Sequence, residues 1–92
     1  MMRLRGQLIC ADEAEAQAVR TLAPAHITAS RAEPGCLMFE ITATDDPMVW
    51  EVMESFRTRA DFDAHQTRTR AGAWFTATRG ILRDFRLEEV PD

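Results

Sequence analysis

His65 and His26 are the two histidines of this 92-residue chain, and imidazoles are the side chains that move protons near neutral pH, titrating at about 6.5 when unperturbed. His65 follows Asp61 by four residues, so on a helix the two share a face. A carboxylate there would fix the imidazole tautomer and raise its basicity, although an ordinary surface pair has the same spacing. His26 falls in a helical pattern with Val19, Leu22, Ala23, Ile27 and Ser30 on one face. The plainer reading is a core histidine; the alternative is a pocket residue. Glu54 is more unusual. It shares a strand face with Met48, Trp50, Val52 and Phe56, so it lies at a sheet rim or is buried against His26, His65 or an arginine. Trp50 and Trp74 suit a core, yet with Phe39, Phe56, Phe62 and five methionines they could also wall a flat apolar cavity for an aromatic ligand.

Other chemistries lack their motifs. Asp61, Asp63 and His65 are spaced by two, which splays them around a helix, and no second histidine follows at the fourth position, so no metal site is expected. There is no glycine-rich phosphate loop, dinucleotide fingerprint or nucleophile elbow, which argues against NAD or flavin bound by a standard motif.

The elements that must position these residues alternate cleanly. Met2 to Cys10 alternates Leu4, Gly6, Leu8 and Cys10 against Arg3, Arg5, Gln7 and Ile9, which predicts a strand. Asp12 and Glu15 have capping-box spacing ahead of the His26 helix, and Pro24 is expected to kink that helix. Glu33-Pro34-Gly35-Cys36 predicts a turn. Leu37 to Thr44 is a second strand, with Leu37, Phe39 and Ile41 on one face and Met38 on the other. After Asp45-Asp46-Pro47 a third strand runs from Met48 to Phe56, with Val49, Glu51, Met53 and Ser55 on its second face. Thr58 is the expected N-cap of the His65 helix, which breaks around Arg70-Ala71-Gly72; a short helix then carries Trp74, Phe75 and Thr78. Gly80 ends it, and Leu82 to Val90 is a fourth strand.

The order β-α-β-β-α-β predicts an α+β, ferredoxin-like fold over residues 1–92 as one domain, with helices on one face of an antiparallel sheet. The apolar residues on both faces of the second and third strands predict a homodimer with sheets opposed. A net charge of −4 argues against nucleic acid or an anionic membrane as partner. Residues 11–56 carry nine acids and two arginines, and residues 57–86 carry seven arginines and three acids, which suits complementary regions within a fold or across a dimer. Cys10 and Cys36 form neither a disulfide framework nor a metal spacing, and no signal-peptide core or long apolar run is present, so a soluble cytoplasmic protein is expected.

Ser30-Arg31-Ala32-Glu33-Pro34-Gly35-Cys36-Leu37, Phe39-Glu40, Trp50, Glu54-Ser55-Phe56, Asp61-Phe62-Asp63-Ala64-His65 and Trp74 together resemble the antibiotic biosynthesis monooxygenase domain, in its quinol monooxygenase-like branch. The resemblance spans nearly the whole chain. It implies a dimeric α+β barrel, and a cofactor-independent oxidation of a quinol or polycyclic phenol by O₂. It implies His65 as base or proton shuttle, with Trp50, Trp74, Phe39 and His26 lining the cavity and Arg83 placed to stabilise a phenolate. Polyketide-oxidising relatives use Asn and Tyr, and haem-degrading relatives use an Asn; the chain has neither residue. Two other readings stand beside the monooxygenase: a non-catalytic dimer that binds a small aromatic, and haem binding through His65.

Overall fold

The alternation of leucines with Arg3, Arg5 and Gln7 becomes β1 (Met2–Ile9) in the computed structural model, which describes residues 1–91. Asp12 then caps α1 (Glu13–Arg31), its carboxylate accepting from the Glu15 amide at 2.9 Å. The Glu15 side chain reaches back to the Ala11 amide at 2.7 Å, so the N–H just ahead of the cap is satisfied in return. Pro24 sits on the exposed side of α1, and the helix runs on past it to Arg31.

The turn after α1 closes with the Cys36 amide on the Glu33 carbonyl at 3.2 Å. Gly35 holds φ +81°, where any Cβ would also collide with the Asp61 carboxylate. From there β2 (Cys36–Ala43) and β3 (Val49–Phe56) form a hairpin. Thr58 Oγ caps α2 (Arg59–Arg70) by accepting from the Asp61 amide at 3.1 Å. Gly72 separates α2 from α3 (Ala73–Thr78), and β4 (Leu82–Glu89) completes the sheet.

The strand order is β2-β3-β1-β4, with every neighbouring pair antiparallel. This is the ferredoxin-like arrangement expected from the sequence, including the broken second helix. Register sorts the residues into rows across the sheet. Phe39, Glu54, Leu4 and Leu87 form one row, and Ile41, Val52, Gly6 and Phe85 the next, both on the face that carries the helices. Gly6 is needed where β1 meets β4, because a Cβ at its φ of +156° would strike the Asp84 carbonyl. Leu4, Leu8, Phe39, Ile41, Val52 and Phe56 pack beneath Ala16, Val19 and Ala23 of α1 and Phe62 of α2.

One expectation about β2 needs correcting. Leu37 was predicted to share the core face with Phe39 and Ile41, but a bulge between Cys36 and Met38 leaves it opposite no partner and 52% exposed. The sheet face away from the helices is therefore mixed rather than apolar. Met38, Met53, Val49, Ile9 and Leu82 lie among Arg3, Arg5, Arg86, Glu51, Asp84 and Glu88. No helix among the described residues is long and apolar enough to cross a membrane.

Candidate functional site

Between the sheet and α2–α3 lies a cavity of about 210 Å³. Its walls are apolar where the sheet supplies Leu4, Leu8, Ile41, Val52 and Phe85, and where α3 supplies Trp74 and Phe75. His26, Glu54, His65, Thr69 and Arg83 add polar atoms to the same cavity.

His65 is fully buried, and both of its ring nitrogens have defined neighbours. Nδ1 lies 2.6 Å from Glu33 Oε1. Glu33 is itself clamped by Arg68, whose Nε donates to Oε2 at 2.9 Å while its NH2 reaches Oε1 at 3.3 Å and the buried Ser30 Oγ at 3.0 Å. Burial pushes the Glu33 carboxyl up, but the hydrogen bonds from Arg68 and His65 outweigh it and hold the group below its ordinary value. An ionised Glu33 is an acceptor, so Nδ1 carries the proton and Nε2 keeps its lone pair. Burial lowers the His65 pKa, with Glu33 opposing that shift and Arg68 adding to it. The side chain is thus a neutral base at physiological pH, with its lone pair on the nitrogen opposite Glu33. Nε2 is 3.4 Å from Thr69 Oγ and 3.6 Å from Glu54 Oε1.

The partner of Nδ1 is not the one the four-residue spacing suggested. Asp61 lies against Gly35, and Glu33 reaches the imidazole from the turn after α1. His26 stacks on Trp74 with ring centroids 5.0 Å apart and planes 7° from parallel, and meets the edge of Phe39 at 5.2 Å. Desolvation lowers its pKa to about 4, with His65 and Arg68 adding to the shift, so it is neutral in this setting.

Glu54 sits in the middle of the helix-facing sheet surface, flanked by Leu4 and Phe39 in its row. It is 7% exposed, and its Oε1 is buried without a hydrogen-bond partner among the described residues. Desolvation, reinforced by the nearby charge of Glu33, raises its pKa to about 7, and Arg83 counters in part. Arg83 lines the cavity, but its guanidinium is engaged elsewhere. NH1 donates to the Thr78 and Ile81 carbonyls at 2.7 and 3.1 Å, and NH2 reaches Thr78 Oγ at 3.0 Å. It therefore ties the end of α3 to β4 and contributes a fixed positive charge to the cavity wall.

Of the residues singled out in the sequence, His26, Phe39, Glu54, His65, Trp74 and Arg83 come together around this one cavity. Trp50 does not. Its row runs Ala43, Trp50, Leu8, Arg83; Leu8 and Arg83 line the cavity, and Trp50 is half-buried against the core instead.

A family model for antibiotic biosynthesis monooxygenase matches residues 2–77. The chain belongs to the antibiotic biosynthesis monooxygenase family. No curated protein matches it by sequence. Solved structures of this family's fold superpose along its length. A candidate antibiotic biosynthesis monooxygenase from Deinococcus radiodurans aligns with a TM-score of 0.77 at 20% identity, covering 100% of this chain and 94% of that one. One from Nitrosomonas europaea gives 0.75 at 20% identity, with 98% of each chain covered. A third, from Caulobacter crescentus, gives 0.72 at 20%, covering 99% and 90%.

Within this family member, Glu33, Arg68, Ser30 and Thr69 join the site without having been singled out for it. Arg68 and Thr69 lie three and four residues after His65 on α2, so helical spacing could have flagged them. Glu33 is thirty-two residues from His65, and no local pattern links the two.

Proposed function

We propose that this protein oxidises a small quinol or phenol with O₂ without recruiting a cofactor, with His65 as the base. The observation that carries the reading is His65 itself. Its Nδ1 is fixed by an arginine-clamped Glu33, and its Nε2 faces an aromatic-walled cavity. Such a geometry suits removal of a phenolic or activated C–H proton from a ring held against Trp74, Phe75 and Phe85. The resulting anion passes an electron to O₂, and the caged radical pair recombines to a peroxide on the ring carbon. Loss of water leaves a carbonyl there. One oxygen of O₂ stays in the quinone, the other leaves as water, and the substrate carbon supplies all the electrons. The residues' part is to hold the ring, take the proton and keep bulk water out.

We also propose that the working form is a homodimer joined through the sheet face away from the helices. That face exposes Met38, Met53 and Leu82 and carries both Arg3, Arg5, Arg86 and Glu51, Asp84, Glu88, a mixture that can complement itself about a two-fold axis. Cytoplasmic residence is proposed as well, since two unpaired thiols, Cys10 and Cys36, suit a reducing compartment.

The deciding experiment follows O₂ uptake as one- and two-ring quinols are added, with product identified by mass. Uptake that His65→Ala abolishes supports the assignment. Saturable quinol binding with no uptake would instead make the protein a binding domain, and a Soret band on haem titration would make it a haem binder.

A further inference from the structure

Two carboxylates flank the single imidazole of His65, and they are not equivalent. Glu33 has Arg68 to balance its charge and accepts the hydrogen bond from Nδ1–H. Glu54, on the other side, has no such partner: Arg83, whose charge acts on it, turns NH1 and NH2 to Thr78 and Ile81, and Glu54 Oε1 is buried without a hydrogen bond among the described residues. Burial, with the charge of Glu33 on the far side of the imidazole, favours the protonated form of the unclamped carboxyl up to about pH 7. The Glu54 carboxyl and His65 Nε2 are 3.6 Å apart, too far to bond each other. Both line the cavity. An oxygen about 2.8 Å from each would sit about 2 Å off the line joining them, inside hydrogen-bond reach of a donor and an acceptor at once.

We propose, on the basis of the quinol oxidation above, that Glu54 and His65 grip one hydroxyl oxygen of a one- or two-ring phenol, Glu54 donating a hydrogen bond to that oxygen while His65 takes its proton. The O–H bond of the ligand breaks and an N–H bond forms at Nε2. The imidazolium is then balanced by Glu33, and the phenolate oxygen by the Glu54 O–H, so Glu54 is a second catalytic residue. The size limit comes from the cavity. An engineered apolar cavity of about 150 Å³ takes up benzene, and drug-sized ligands occupy about 300–1,000 Å³. At about 210 Å³ the space suits one ring or a fused pair.

The grip depends on a protonated Glu54, and the groups facing it set where that ends. They are His65 and Arg70 from α2, His26 from α1, Glu33 from the turn after it, Cys36 from β2 and Arg83 from β4; its strand neighbours Leu4 and Phe39 are uncharged. Glu33 favours the protonated form and Arg83 opposes it, with loss of the proton at about pH 7. Above that pH a second negative charge would face the phenolate and the ligand would be expelled.

4-Nitrophenol tests this without any oxidation step, because its absorbance distinguishes phenol from phenolate. The wild-type protein should bind it in the phenolate form and lose affinity above neutral pH more steeply than Glu54→Gln, whose amide still donates but cannot ionise. Comparing the two proteins cancels the titration of the probe. Glu54→Ala should bind at least about tenfold more weakly, as expected for losing a hydrogen bond to a charged oxygen. His65→Gln should hold the probe as the phenol. Identical pH profiles for wild type and Glu54→Gln, or unchanged affinity in Glu54→Ala, overturn the proposal. A protein that binds the probe as described yet consumes no O₂ with quinols would overturn the oxidation and leave the grip standing.

Discussion

Glu33 Oε1 lies 2.6 Å from His65 Nδ1, although thirty-two residues and the whole of β2 and β3 separate them in the chain. That contact decides which nitrogen of His65 is free to act. Because Glu33 raises the His65 pKa against burial, Glu33→Gln should lower the imidazole titration midpoint seen by NMR. It should also cut kcat, by up to about 10⁴-fold, the loss seen when the carboxylate that sets a base histidine's tautomer becomes an amide. An unchanged midpoint would remove Glu33 from that role.

Arg68 acts one step further out. Its side chain is partly exposed, so the pair with Glu33 is worth less than a buried one. Arg68→Ala should still cost about 1–2 kcal/mol in urea unfolding, because it leaves both Glu33 and the buried Ser30 Oγ short of a donor. It should also move the acid limb of the rate profile upward, since Arg68 holds the Glu33 carboxyl down.

The sequence carries the fold far better than it carries the site, and Glu33 shows why. Strands and helices are written in periods of two and about 3.6, and Asp12, Thr58 and Gly72 mark helix starts by local chemistry. A contact between the turn after α1 and the middle of α2 has no period. The four-residue spacing of Asp61 and His65 is real on the helix, yet the Asp61 carboxylate lies against Gly35 and Glu33 is the group at Nδ1. The bulge at Leu37 is similar: pairing with β3, rather than the local pattern, sets where the extra residue falls. Glu54 was legible as an anomaly on an apolar strand face, but its lack of a bonding partner required the neighbouring elements to be in place.

Gly35→Ala should destabilise the protein by about 1–3 kcal/mol. The substitution combines a positive φ of 81° with a collision against the Asp61 carboxylate. Thermal unfolding checks it, and Asp61→Ala in the same chain should recover the part due to collision while leaving the part due to φ.

Stability should depend on pH through opposing buried groups. Glu54 is raised from 4.5 to about 7, so its contribution is present below pH 4.5 and is lost as pH rises toward 7. His26 is lowered from 6.5 to about 4, so its contribution is present above pH 6.5 and is lost as pH falls toward 4. His65 and Glu33, both lowered, act in the same sense as His26. Glu54→Gln removes the opposing member, and its stability relative to wild type should improve by about 3 kcal/mol between pH 4 and 8. His26→Phe should shift the balance the other way. Urea titrations at several pH values measure both, and parallel curves for wild type and Glu54→Gln would contradict a protonated Glu54.

The proposed dimer is tested at Met53. It stands in the row Glu40, Met53, Arg5, Arg86 on the face away from the helices, 38% exposed on β3, one of the two inner strands. In an opposed-sheet dimer that position is covered, and an aspartate there would have to lose its hydration beside an Arg5 that is already paired with Glu88. In a monomer the same change is a surface substitution, worth within about 0.5 kcal/mol. Sedimentation at micromolar concentration therefore separates the two cases: wild type should run as a dimer and Met53→Asp as a folded monomer. The buried Arg3 Nε and Glu88 Oε1 lie on the same face without a hydrogen bond among the described residues, Glu88 being held there by ion pairs to Arg3 and Arg5 at 3.7 and 3.5 Å. Glu88→Gln should weaken the dimer, and a wild-type chain that sediments as a monomer throughout would refute the assembly and with it this use of the sheet.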